Sequence, residues 1–241
     1  MKLHESPSPN ARRVHVFMAE KGIEMERVPV DIRAGENITP EFLAKNPGGR
    51  VPVLELDDGT FIGESVAICR YLEASQGKPD LFGEGALQSA QVEMWQRRVE
   101  LNFMAEVAGA FRNITGFFKD RETCVEEWGR VCAEKAPKAL AMFDAQLADN
   151  EYLAGDKFSI ADITLGVALD FARQVKVVEI PDLPFIAAVS VMSGDIVRTR
   201  AYLAEKDIQF AGAERLVTHA AAGMGAHFVF HTPDREPFAL P

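Results

Sequence analysis

Cysteine is scarce in this chain, and its pattern excludes several chemistries. The 241 residues hold three, Cys69, Cys124 and Cys132. The number is odd and no C-x-x-C pair occurs, so neither a disulfide framework nor a thiolate zinc site is spelled out. All three fall in helical patterns and read as packed or bystander thiols, which suits a reducing compartment. Positive charge is short as well: 26 Lys and Arg stand against 36 Asp and Glu, a formal charge of -10. A duplex binder needs a basic face to displace counterions, and no run of Lys or Arg appears, so nucleic acid is not an expected partner. Single basic residues can still grip a small anion. Long apolar runs are also missing. None nears the roughly 18 residues of a membrane span, and no basic segment followed by an apolar one precedes the first strand, so a soluble cytoplasmic protein without membrane contact is expected.

What is present is ordinary globular material, 47% hydrophobic and long enough for one large domain or two small ones. The first third reads as β-α-β-α-β-β-α: a strand over Met1 to His4, a helix over Asn10 to Lys21 stopped by Gly22, and a strand within Met25 to Ile32. A short helix follows, capped by Thr39 with Pro40 at its first position. Ala11, Val14 and Met18, with Phe17 beside them, make a core-facing stripe. Arg50 to Ser65 is the most informative stretch. Pro52 precedes a strand at Val53 to Leu56, Asp57-Asp58-Gly59 makes a turn, Thr60 to Ile62 returns, and a helix opens at Glu64-Ser65. A cis bond before Pro52 would turn the Val51 backbone toward an extended peptide. Ser65 as a cap, with the N–H groups of a helix start, would attract a carboxylate.

Asn46-Pro47-Gly48-Gly49-Arg50-Val51-Pro52-Val53-Leu54, followed by Gly63-Glu64-Ser65-Val66-Ala67-Ile68, resembles the glutathione-binding half of a cytosolic glutathione transferase of the theta, phi or nu-like kind. The pair of motifs at this spacing is specific. The resemblance implies an α/β thioredoxin-like domain over residues 1–75, a linker over 76–87 and an all-α, all-helical domain over 88–212. It also implies glutathione as co-substrate, no metal, and a homodimer. Glutathione would lie against Arg50, Val51, Pro52, Glu64 and Ser65, with its γ-glutamyl carboxylate at Glu64-Ser65 and its cysteinyl backbone at Val51. The Ser6-Pro7-Ser8-Pro9-Asn10 loop occupies the place where thioredoxins carry a reactive cysteine. It has none, so the ligand must supply the sulfur. A hydroxyl or amide at this helix start could donate to a bound thiolate. Ser8 matches the catalytic serine of phi-like enzymes, Asn10 the asparagine of nu-like enzymes, and Ser6 is a third candidate.

Beyond the breaker-rich Gln76–Gly85 segment the chain turns helical. One long amphipathic helix is expected over Leu87 to about Arg112, resembling the helix that lines the family's electrophile pocket and packs on its dimer mate around Trp95 to Phe103. Phe103, Phe111 and Phe117 are the pocket candidates. A further helix over Val125 to Leu147 would turn Trp128, Val131, Cys132, Ala139, Leu140 and Phe143 inward. Ser159 and Asp162 form a capping box, with Phe158 able to staple to Ile163. Asp162 is therefore structural. Residues 213–241 extend past the family's usual length. His219, His227 and His231 there lack the companions of a metal site. The expected activity is conjugation of the glutathione thiolate to an electrophilic small molecule; glutathione-dependent disulfide reduction and a non-catalytic glutathione-binding module are the alternatives.

Overall fold

The computed structural model describes residues 1–77 and 80–181, and beyond them the backbone of four strands between 188 and 231. The chain divides into two units, Met1–Ser89 and Ala90–Pro241.

In the first unit, β1 (Lys2–Glu5), α1 (Pro9–Glu20) and β2 (Glu26–Pro29) form a parallel crossover, Leu3 facing Arg27 and His4 facing Val28. A single turn of 3-10 helix (Glu36–Ile38) and α2 (Pro40–Lys45) lead to β3 (Val53–Glu55) and β4 (Phe61–Ile62), and α3 (Ser65–Gln76) closes the unit. The sheet order is β2-β1-β3-β4, with β3 antiparallel to both its neighbours. This is the thioredoxin-like arrangement. The local chemistry explains its punctuation. Thr39 accepts from the Phe42 N–H at 3.3 Å as the cap of α2. At the Asp-Gly hairpin turn, Gly59 takes φ +83° and Asp58 Oδ1 accepts from the Thr60 N–H at 2.9 Å. Leu3, Val14, Phe17, Leu54, Ile68 and Leu72 are completely buried, and α1 packs on α3.

The second unit is built on α4 (Gly85–Val99, which begins in the first unit), α5 (Ala105–Thr115), α6 (Glu126–Asp149) and α7 (Ile160–Val175). The single helix expected over Leu87 to Arg112 is interrupted by a wide π turn at Glu100–Met104. Its cause is the spacing of the buried side chains. Trp95, Val99, Phe103 and Val107 recur every four residues and all face the core. A regular helix, at 3.6 residues per turn, would rotate such a series steadily off the core face, and the wide turn absorbs the excess. Where α5 crosses α6, a Cβ on Gly129 would stand 2.8 Å from Ile114 Cγ1 and 3.0 Å from its backbone nitrogen, so glycine sets the closeness of approach. Cys132, Ala139, Leu140 and Phe143 face inward as expected. Trp128 and Val131 do not: the buried line runs through Gly129 and Cys132, and the Trp128 indole lies outside with Lys135 Nζ 5.0 Å above it.

Beyond the helices the backbone forms a second sheet, order β5-β8-β7-β6, from Ala188–Met192, Phe210–Ala211, Arg215–Thr218 and His227–His231. Two of these strands lie within 88–212, where helices are expected, and two in the 213–241 extension. Val189-Ser190-Val191 alternates and Phe228-Val229-Phe230 is a short aromatic and β-branched run, both strand-like in sequence. His219 lies outside the described residues.

Candidate functional site

The Ser6–Asn10 loop leaves the end of β1 and winds into α1. Ser8 is extended at φ -159°, and its Oγ accepts from the Ala11 N–H at 3.2 Å, with Pro9 opening the helix. This is a side-chain cap. A hydroxyl holds one donor besides its lone pairs, so accepting from Ala11 leaves the Ser8 O–H able to donate elsewhere. Ser6 is buried, at 8% exposure.

The second element is the start of α3. Ser65 is not its cap, contrary to the expectation from sequence: Glu64 holds that position at φ +61° with no side-chain cap bond, and Ser65 is the first helical residue. The reason is a competing partner. Arg13, 1% exposed on the inner side of α1, donates from a terminal nitrogen to Ser65 Oγ at 2.7 Å. The same nitrogen reaches Asn10 Oδ1 at 3.4 Å, and the Ser65 hydroxyl stands 3.4 Å from that oxygen. The candidates Asn10 and Ser65 are thus held together through a buried guanidinium. Asn10 turns its carbonyl oxygen toward that pair. Arg13 is absent from the residues expected on sequence grounds, although a signal was there: Asn10, Arg13 and Phe17 share helical spacing, which puts a charge on the buried face.

The third element is the loop before β3. Its Val51–Pro52 peptide bond is cis. Asn37 Nδ2 donates to the Gly49 carbonyl at 2.7 Å and Asn46 Nδ2 to the Arg50 carbonyl at 2.9 Å. The Asn46 amide also lies against Gly63, where a Cβ would come within 3.3 Å of its nitrogen. One side chain therefore ties the Arg50–Val51 strand entrance to the segment just ahead of Glu64. Arg50 and Glu64 are exposed, whereas Pro52 is buried.

The two buried thiols do not compete for the nucleophile's role. Burial pushes Cys69 up to about 12, and burial together with the neighbouring Glu106 pushes Cys132 to about 11. Both stay protonated at neutral pH. Among the described residues no group of three His, Cys, Asp or Glu side chains is placed to share a metal ion, and no described helix is long and apolar enough to cross a membrane.

Two family models match the chain, "Glutathione S-transferase, N-terminal domain" over residues 7–75 and "Glutathione S-transferase, C-terminal domain" over 104–190. The chain belongs to the glutathione S-transferase family. It is 39% identical to glutathione S-transferase 2 of Saccharomyces cerevisiae over 187 residues, 76% of this chain and 80% of that protein. A glutathione S-transferase domain-containing protein of Marinobacter aquaeolei superposes with a TM-score of 0.74 at 38% identity, covering 85% of this chain and 97% of that one. A class Gtt2 glutathione S-transferase of Vibrio parahaemolyticus gives 0.68 at 43% identity over 78% and 89%. A solved glutathione S-transferase-I bound with lactoylglutathione gives 0.60 at 28% identity over 72% and 83%.

In this glutathione S-transferase the three pocket candidates of the second unit separate. Phe103 has no exposed surface and fills the helical core, as does most of Trp95. It is a packing residue, and the four-residue spacing that turns it inward is the reason. Phe111 and Phe117 meet, ring centroids 5.3 Å apart, and Phe111 also packs edge-on against Phe171 at 5.5 Å. Phe171 does not stand out in the sequence because its α7 stripe reads as core. Asp162 plays the structural part expected of it: it accepts from the Leu153 N–H at 2.8 Å and from the Ser159 N–H and O–H at 2.9 and 2.8 Å. Phe158, expected to staple to Ile163, has its ring 5.7 Å from that of Tyr152.

Proposed function

We propose that the protein is a cytoplasmic glutathione transferase that detoxifies electrophilic small molecules by attacking them with the thiolate of bound glutathione. The observation that carries this reading is the Asn10–Arg13–Ser65 network, which joins the start of α1 to the start of α3. It supports a site in which a thiolate donor at the start of α1 and a carboxylate-binding start of α3 serve the two ends of one ligand. Glutathione spans them, its γ-glutamyl carboxylate at Ser65 and the α3 N–H groups, its ammonium near Glu64, its cysteinyl backbone at Val51 and its glycyl end near Arg50. Ser8 or Asn10 donates to the sulfur. The thiol proton passes to solvent water, the sulfur forms a bond to the electrophilic carbon, and the leaving group departs from that carbon with its electron pair. The free, buried or half-buried state of the three cysteines agrees with a reducing compartment.

The Phe111–Phe117 pair, with Phe117 37% exposed, is our candidate surface for a flat apolar electrophile. A homodimer belongs to the same reading. With Trp95 and Phe103 committed to the core, the outward side chains Met94 and Leu101 supply the apolar contact. Light scattering on dilution to micromolar concentration should report two copies, and a monomer would contradict it.

A paired assay tests the function: glutathione with a chlorinated nitroaromatic, and glutathione with a small disulfide. Conjugate formation supports the transferase. Turnover of the disulfide alone transfers the assignment to a reductase, and binding without either reaction leaves a glutathione-binding module. Calorimetry of Ser65→Ala and Arg50→Ala tests the placement of the peptide, which fails if both bind glutathione as tightly as the parent.

A further inference from the structure

We propose that Arg13 is the positioning residue that makes the start of α3 selective for a carboxylate, through the hydroxyl of Ser65. The inference rests on the glutathione reading above and assigns the γ-glutamyl carboxylate its recognition device. Ser65 Oγ accepts from Arg13 at 2.7 Å. That bond occupies a lone pair and fixes the side on which the oxygen receives. The single O–H is then directed away from Arg13 and donates to Asn10 Oδ1 at 3.4 Å, a long bond that a carboxylate drawn to the open N–H groups of the first α3 turn can replace. A hydroxyl left to rotate would present lone pairs and proton alike. One held by a guanidinium presents its proton, and presents it to an anion. Charge works in the same direction. Arg13 is 1% exposed, Ser65 5%, so the guanidinium acts through little intervening water and its field is weakly screened at the position where the carboxylate arrives. The helix start adds its partial positive charge on the same side.

The arrangement also accounts for two choices in the sequence. Glu64 takes φ +61° as the residue before the helix and makes no side-chain cap, so Ser65 escapes capping duty and is available to Arg13. Asn10 Oδ1 lies 3.4 Å from both Arg13 and Ser65, so the guanidinium restrains the amide whose NH2 is a thiolate candidate. Arg13 touches no reacting atom. Its effect is on the orientation of the groups that do.

The test compares glutathione with butyryl-cysteinyl-glycine, which is glutathione with the α-carboxylate and α-ammonium both removed, and with γ-aminobutyryl-cysteinyl-glycine, which lacks the α-carboxylate but keeps the amine, by calorimetry on the full chain. Arg13→Gln and Arg13→Lys should weaken glutathione binding by roughly tenfold, the loss of one charge-assisted bond, and change binding of either decarboxylated peptide less than about twofold. Ser65→Ala should show the same selectivity, and adding Arg13→Gln to it should cost less than about twofold more, because the two residues act in series. Equal losses for all the peptides, or independent losses in the double variant, would make Arg13 a mere packing element and overturn the proposal while leaving the transferase reading in place. Failure of the unaltered protein to bind glutathione would remove both. Where the Arg13 variants do not match the parent's melting curve, the parent protein labelled with 15N-arginine decides the matter. The buried guanidinium signal should move with glutathione and stay with the decarboxylated peptides; no movement with any of them overturns the proposal.

Discussion

Replacing Ser8 separates two jobs that one hydroxyl performs. Its oxygen accepts from the Ala11 N–H at 3.2 Å, capping α1, and in the proposed mechanism its proton goes to the bound thiolate. Ser8→Ala removes both. Loss of the cap should cost about 0.5–2 kcal/mol of stability. Loss of a hydrogen bond to a charged sulfur is worth roughly 1.5–3 kcal/mol, which raises the pKa of the bound thiol by about one to two units. From an ordinary thiol pKa near 8.5, only about 3% is ionised at pH 7, whereas a value one to two units lower gives about a quarter to three quarters. Turnover with a chlorinated nitroaromatic at pH 7 should therefore fall roughly 8- to 25-fold. The deficit should shrink toward nothing above about pH 9, where the thiol ionises without help. Ser8→Asp isolates the two roles. A carboxylate still accepts from Ala11 and suits a helix start, so the melting temperature is retained, but it has no proton to give and repels the sulfur. Its pH-rate profile should be displaced at least as far as that of Ser8→Ala. If Ser8→Asp keeps the parent profile while Asn10→Ala loses activity, the serine has only a capping role and the asparagine becomes the thiolate donor.

Three further outcomes follow from packing and burial. Asp162→Ala should destabilise the fold by about 2–6 kcal/mol in denaturant titrations, since the Leu153 and Ser159 N–H groups lose their buried acceptor at roughly 1–3 kcal/mol each; a loss under about 1 kcal/mol would contradict the capping-box account. Gly129→Ala should cost about 1–3 kcal/mol because the added carbon meets the Ile114 backbone nitrogen at 3.0 Å, which no rotamer change relieves; unchanged stability would show that α5 and α6 can separate freely. Burial raises Glu20 from 4.5 to about 7. Between those values the folded chain holds a proton that the unfolded chain has released, so stability declines as pH rises through that window. Glu20→Gln should accordingly add about 2–3 kcal/mol at pH 8 and almost nothing at pH 4, and a gain independent of pH would refute the burial argument.

The sequence by itself determined the features whose partners lie within a few residues. The Ser8-Pro9 and Thr39-Pro40 helix starts, the Asp-Gly hairpin and the Ser159–Asp162 box all appear where their residue types put them, because a cap or a turn is satisfied by its own backbone neighbours. Periodicity likewise found the inward faces of α1 and the later part of α6. Only the tertiary structure decided what depends on distant partners. Ser65 has every local qualification for a cap, yet its hydroxyl is taken by Arg13, 52 positions earlier. Trp128 and Trp95 both sit in amphipathic helices, but Trp128 is exposed beside Lys135 because the approach of α5 at Gly129 covers a different line of α6, whereas Trp95 on α4 packs into the helical core with Val99 and Phe103. Phe103 follows the same logic: its type suits a ligand pocket or a core equally, and the wide turn at Glu100–Met104 commits it to the core. A hydrogen-bond donor or an apolar surface takes the best partner in reach, and which partners are in reach is a property of the folded chain.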